Sequence, residues 1–223
     1  MLMDVLDALH LRYTVRSFKA DPVSSETLHK IFEAALHTPS WANTQPWEIF
    51  VAGGDVLNRL RKAYLEYLKD CVPRNPDLAA PRKWPPDLQK RMEVVKAERI
   101  AAAERACLDT STLADVAQIN YRFFDAPIVV YLCMDRRLTP WSIFDIGLLV
   151  QSIMLAAQQF DVGSAPAVTL VAHPDLIRKE LKIPDELLII IGVALGYADS
   201  KHILNSFRSP RRSINEVIRF HGL

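Results

Sequence analysis

Apolar residues recur at helical and strand spacings along most of the chain. Leu2, Val5, Leu6 and Leu9 follow the i, i+3, i+4, i+7 pattern of an amphipathic helix. The following stretch, RYTVRSFKADP, reads as extended. Ser24 is placed to cap a second helix, with Glu26 in its first turn and Leu28, Ile31, Phe32 and Ala35 on its apolar face. Pro39 ends that helix. EIFVA reads as a short strand closed by Gly53 and Gly54. A third helix carries Leu57, Leu60, Tyr64, Tyr67 and Leu68.

The pattern breaks at 71–86, where Pro73, Pro76, Pro81, Pro85 and Pro86 surround Trp84 in a loop. A charged helix follows, with Leu88, Met92 and Val95 on one side. Residues 71–112 read as an excursion from the core. It is either a lid over a site or a solvated helical insertion with no role there. APIVVYLCMD is a buried strand, and SIFDIGLLVQSIMLAAQQF a central helix apolar almost all round. SAPAVTLVA reads as a strand, His173 and Pro174 open another helix, and ELLIIIGVALGYA is the last core strand. Gly192 and Gly196 lie inside that strand, where they permit close packing. The irregular alternation of helices and strands points to α+β or α/β.

Half of the 223 residues are hydrophobic, so a substantial core is available. The formal net charge of +1 argues against a general nucleic-acid or anionic-membrane partner. Cys71, Cys107 and Cys133 form no metal spacing and no disulfide framework; they read as buried, reduced thiols in a cytoplasmic protein. The start of the chain is not a signal peptide. The longest apolar runs, 144–160 and 187–198, are respectively interrupted by Asp145 and Gln151 and too short to span a bilayer. Zinc-site, nucleophile-elbow, Walker and dinucleotide-fingerprint motifs are missing.

Two features carry candidate chemistry. Arg12, Thr14 and Arg16 share one side of an extended segment, where two guanidiniums and a hydroxyl suit a phosphate and its polyol; a solvated edge is the alternative. Arg208, Arg211 and Arg212 cluster in the tail. The second feature is PSWANTQPW, directly before a strand. Pro39 leaves backbone groups free, and Ser40 and Asn43 offer compact donors and acceptors, whereas Pro46 and Trp47 read as architecture.

RYTVRSF, AALHTPSWANTQPWEIFVAGG, FDIGLLVQSIMLAAQQFDVGSAP, LGYAD and FRSPRRSINEVI, in that order, resemble the nitroreductase family of FMN-dependent flavoproteins. The resemblance implies an α+β fold with a mixed sheet wrapped by helices. It also implies an intertwined homodimer formed by one domain, 1–223, with a lid at 71–112 and a C-terminal arm at 199–223. It implies non-covalent FMN, with Arg12, Thr14 and Arg211 at the phosphate and ribityl chain and Arg16 at the pyrimidine edge of the ring. Tyr13, Pro39, Ser40, Trp41, Asn43, Asn120, Arg208 and the 166–169 stretch (Pro166, Ala167, Val168 and Thr169) complete the implied cofactor site. Trp41, Trp84, Phe123 and Phe124 are candidates for an aromatic substrate pocket. The implied activity is ping-pong reduction of a nitroaromatic or quinone-like acceptor by NAD(P)H. A flavin-dependent reductive dehalogenase and a non-catalytic FMN-binding protein are the alternatives.

Overall fold

The computed structural model describes residues 3–105 and 116–222. Four strands, β1 (Glu48–Gly53), β2 (Ile128–Asp135), β3 (Gly163–Ala167) and β4 (Leu187–Gly196), form one sheet in the order β1-β2-β4-β3. Neighbouring strands all pair antiparallel. The parallel component of the expected mixed sheet is a one-residue bridge between Thr14 and Ser164.

Helices cover both faces of this antiparallel sheet. These are α1 (Val5–Leu11), α2 (Ser25–Ala35), α3 (Gly54–Lys69), α4 (Pro86–Arg105), α5 (Val116–Tyr121), α6 (Pro140–Gln158), α7 (Pro174–Leu181) and α8 (Ile214–Val217). Strand β2 shows the period of two that divides the core. Val129, Tyr131 and Cys133 face the cluster built with Leu57, Leu60 and Tyr64 of α3. Val130, Leu132 and Met134 face the cluster built with Ile31 of α2 and Ile146, Leu149 and Ile153 of α6. Among the described residues, α6 is the one helix long and apolar enough to cross a membrane. Here it packs against α2 and β3, with Ile146, Leu149, Ile153 and Ala157 buried.

Several local expectations are corrected. SAPAVTLVA is not one strand: pairing stops at Ala167, and 168–171 coil into a 3-10 turn that returns Leu170 and Val171 to the core. β3 is an edge strand, which is why Pro166, without an N–H, is tolerated in it. In α1 only Ala8 is buried, while Val5, Leu6 and Leu9 point outward. Leu2 lies outside the described residues. Leu88 and Met92 of α4 are likewise exposed. Cys71 is exposed rather than buried, and Cys107 lies outside the described residues. Cys133 is buried, and desolvation pushes its thiol up to about 12, so it stays a neutral hydrophobe.

The opening of the excursion is tied to the core. Asn75 N–H donates to Ala172 O at 3.0 Å. Arg74 Nε donates to the Tyr121 hydroxyl at 3.1 Å. Asp77 accepts from Arg178 Nη2 at 2.6 Å and from Ile189 N–H at 2.8 Å.

The segment joining α1 to α2 is stitched across the end of the sheet. Val15 N–H donates to Ser164 O at 3.0 Å, Phe18 N–H to Phe124 O at 3.1 Å and Lys19 N–H to Tyr197 O at 2.8 Å. Asn205, which is 4% exposed, completes the seam. Its Oδ1 accepts from Arg16 N–H at 2.7 Å, and its Nδ2 donates to Ser17 O at 2.7 Å and Asp199 O at 2.8 Å. One side chain thus ties the tail to the arginine segment. Asn205→Ala leaves a buried N–H and two carbonyls without that partner. It is expected to cost about 1–3 kcal/mol, seen as a lower urea midpoint with an unchanged slope. It should also speed proteolysis of 199–222. An unchanged midpoint would remove Asn205 from this structural role.

Candidate functional site

The extended segment after α1 and the tail after β4 meet around a cavity of ≈360 Å³. Its walls include Arg12, Tyr13, Thr14 and Arg16 from the first and Phe207, Arg208, Ser209 and Arg211 from the second. These cationic groups lie roughly two hundred positions apart in the chain, and the Asn205 seam brings them together. Arg12 is half-buried, and its guanidinium is held below its ordinary pKa range, first by desolvation and then by repulsion from Arg211. Two like charges sharing a partly dry cavity form a ready receptor for a dianion, whose binding would reverse that repulsion. The Thr14 hydroxyl adds a neutral donor on the same wall.

Arg208 does something else. Its guanidinium lies 3.4 Å from the centroid of the Tyr13 ring, and its Nη1 donates to Asn205 O at 2.8 Å. It therefore clamps the tail onto Tyr13 by stacking. Arg16 lines the same cavity, with its Cζ 5.5 Å from the centroid of Phe124.

PSWAN forms a second wall elsewhere. Trp41–Asn43 make a 3-10 turn, with Ala42 at φ 50°, Asn43 at 56° and Gln45 at 45°. Left-handed backbone is unfavourable for residues with a Cβ, at about 1–2 kcal/mol each for ordinary residues, so something must hold it. Two acceptors do. The Ser40 hydroxyl accepts from Gln45 N–H at 2.9 Å, and the Asp145 carboxylate receives Trp41 N–H at 3.3 Å to each oxygen. Pro39, Ser40 and Trp41 line a cavity of ≈570 Å³ with Trp141, Phe144, Asp145 and Leu148 of α6. Trp41 and Trp141 meet edge-to-face, with ring centroids 6.0 Å apart. Sequence reasoning missed Trp141, Phe144 and the role of Asp145. The available signal was a lone carboxylate within a long, mostly apolar helix, which the structure leaves 3% exposed.

The remaining candidates fall out differently. Pro166, Ala167 and Thr169 are half-buried around the end of β3, and Val168 is exposed. Thr169 Oγ1 is buried without a partner among the described residues. Asn120 is half-buried on α5, and Asn43 is exposed; neither lines the two cavities above. Phe123 and Phe124 do not wall an aromatic pocket here. Both are fully buried, and Phe123 packs edge-to-face on Tyr64 at 4.7 Å between centroids. The apolar cluster beneath the sheet takes them because their 3-10 turn precedes β2 at its base. Trp84 is 42% exposed and lines neither cavity.

A profile of the Nitroreductase family matches residues 9–197. The 4-nitrobenzoate reductase of Pseudomonas putida is 31% identical over 227 residues, covering 100% of this chain and 98% of that protein. An NADH dehydrogenase of Thermus thermophilus is 40% identical over 197 residues, covering 88% and 87%. Among solved structures, the FMN and NADPH-dependent nitroreductase NfnB of Sphigopyxis sp. strain HMH superposes with a TM-score of 0.90 at 29% identity, over 99% of this chain and 100% of that one. The FMN-dependent nitroreductase NfnB of Mycobacterium smegmatis, in complex with NADPH, gives a TM-score of 0.87 at 30% identity, over 98% and 100%. With a family profile over residues 9–197 and a relative 31% identical over the whole chain, the chain belongs to the nitroreductase family.

Proposed function

We propose that this protein is an FMN-dependent oxidoreductase that uses NAD(P)H to reduce nitroaromatic or quinone-like acceptors. The observation that carries the reading is the convergence of Arg12, Thr14 and Arg211 on one cavity, where burial and mutual repulsion already perturb Arg12. That donor set fits a phosphorylated polyol. Matches to FMN-dependent reductases over nearly the full chain support the same cofactor.

Bound FMN supplies hydride acceptance from the nicotinamide and hydride donation to the acceptor, so no nucleophile–base pair is needed. The chain's residues anchor and tune. Arg12 and Arg211 would bind the phosphate, and Thr14 would hydrogen-bond the polyol. Arg208, stacked on Tyr13, fixes the tail that carries Arg211. Arg16, on the wall of the same cavity, would supply a cation to the pyrimidine edge, where negative charge accumulates on reduction. Ser40, Asn43, the 166–169 backbone and Asn120 would border the ring. Trp41 and Trp141 offer flat apolar walls to an aromatic acceptor. We assign the arm, 199–223, to cofactor and partner contacts, and the excursion at 71–112, with Trp84 just before α4, to a lid.

We further propose a homodimer in the cytoplasm. Val5, Leu6 and Leu9 of α1 and Ile214, Val217, Ile218 and Phe220 of the arm are all at least 44% exposed in the single chain. A short element such as α8 is not stable alone, and a second copy would cover both faces. The free thiols of Cys71 and Cys133 fit a reducing compartment.

The purified protein is expected to be yellow and to bleach rapidly when mixed anaerobically with NADPH or NADH. A colourless protein that takes up no FMN would overturn the reading. Arg16→Gln should retain FMN while its midpoint potential moves to more negative values; a potential equal to wild type would remove Arg16 from the ring edge. Ending the chain at Ser213 keeps Asn205 and Arg211 but deletes the apolar face. Each buried side chain there contributes up to about 1.5–3 kcal/mol, so the dimer dissociation constant should rise by at least about 100-fold in light scattering. Arg211→Ala should stay dimeric yet release FMN. An unchanged dimer after truncation would rule out the arm as an interface.

A further inference from the structure

Arg211 lines two cavities. Beyond the one it shares with Arg12 lies a cleft of ≈460 Å³ between α4 and the arm. Lys90 and Arg91 border it from α4, and Arg211 and Arg212 from the arm, against two carboxylates, Asp87 and Glu216. Glu216 is already engaged. Its Oε2 accepts from Ser213 N–H at 2.7 Å and from the Ser213 hydroxyl at 2.8 Å, closing the capping box of α8. Those bonds, followed by the nearby Arg212 and Arg91, hold its carboxyl below the usual range. The cleft therefore keeps an excess of positive charge directly beside the phosphate cavity. Val94, Val95 and Pro210 give it an apolar wall. Clustered cations beside a small apolar surface suit a phosphorylated nucleoside.

We infer that this cleft receives the 2′-phosphorylated adenosine end of NADPH, with Arg91 and Arg212 as the residues that select NADPH over NADH. This rests on the nicotinamide-dependent reading above. NADPH and NADH differ only by the 2′-phosphate, so discrimination needs a cationic group reserved for it and separate from the FMN phosphate site. Arg12 and Arg211 would be occupied by FMN; Lys90, Arg91 and Arg212 stand one cavity away. Because they reside on α4 and the arm, the reductant would also hold the proposed lid against the tail. A free phosphate ion would meet the same cations, and the test must separate the two.

The probes are 2′,5′-ADP, 5′-AMP and inorganic phosphate, titrated calorimetrically into the FMN-loaded protein at low and high salt. The expected result is that 2′,5′-ADP binds at least about tenfold more tightly than either other probe, with the advantage shrinking at high salt. In the double variant Arg91→Ala, Arg212→Ala, 2′,5′-ADP affinity should fall at least about tenfold while 5′-AMP binding is unchanged. Arg91→Lys with Arg212→Lys should recover most of it. Equal affinity for 2′,5′-ADP and 5′-AMP, equal losses for both in the variant, or inorganic phosphate binding as tightly as 2′,5′-ADP would each overturn the assignment. Flavin content and bleaching by NADH, read on the same variant, should match wild type. A wild-type protein that NADPH and NADH both fail to bleach would count against the parent reading instead of the cleft.

Discussion

The seam between residues 14–19, the β3–β4 edge and the tail is the constraint on which the site depends. It joins the two segments that carry the cations of the phosphate cavity, Arg12 and Arg16 on one and Arg208 and Arg211 on the other. Its backbone bonds run to Ser164, Phe124 and Tyr197, and the Asn205 side chain closes it from the tail. Close approach makes this possible. A Cβ at Gly163 would lie 2.7 Å from Val15 Cγ2, and one at Gly196 would lie 3.0 Å from Phe18 Cδ1. Both glycines therefore make room for the segment that carries Arg12, Thr14 and Arg16. Gly192 makes room instead for the turn after β3, since a Cβ there would meet Leu170 Cβ at 2.5 Å.

At this seam Arg12 and Arg211 are brought close enough to repel each other. Proteins usually pair partly buried cations, because desolvation disfavours the charged form. Arg208 is partnered by the Tyr13 ring and by carbonyls, and Arg211 Nη1 donates to Ser209 O at 2.9 Å and Pro210 O at 3.2 Å, while among the described residues no carboxylate lines the cavity and Arg12 is repelled by Arg211. An arrangement that is unfavourable when empty becomes favourable when a dianion enters, which is how a binding site differs from a structural ion pair. Asp77, bound by Arg178 and by Ile189 N–H, shows the structural kind in the same molecule.

The PSWAN turn follows a related logic with backbone in place of charge. Left-handed Ala42, Asn43 and Gln45 are tolerated because Ser40 and the buried Asp145 accept the N–H groups the turn presents. Such conformations persist where surrounding structure over-determines them, and they concentrate at sites. Asp145 comes from the central helix, so the turn's shape is dictated by the packing of α6 on the sheet.

Local sequence determined the elements. The 3.6-residue spacing of Ile31 and Ala35 and of Leu57, Leu60 and Tyr64, the Ser24 cap, and the alternation within IVVYLCMD specify structures whose hydrogen bonds are short in range or whose faces are set by period alone. The ordered motifs sufficed for the family, because RYTVRSF and PSWANTQPW each lie within one short segment. Tertiary structure decided what depended on distant neighbours. Phe123 and Phe124 are core because a cluster beneath the sheet takes them, and aromatic character alone is equally compatible with a pocket. The strand after Gly163 stops at Ala167 because Leu170 must turn back against Gly192. The apolar face of α1 points outward because, within this chain, only Ala8 of that helix is buried. Arg208 and Arg211, three positions apart, hold different partners, because only the folded chain determines which guanidinium meets Tyr13 and which meets Arg12.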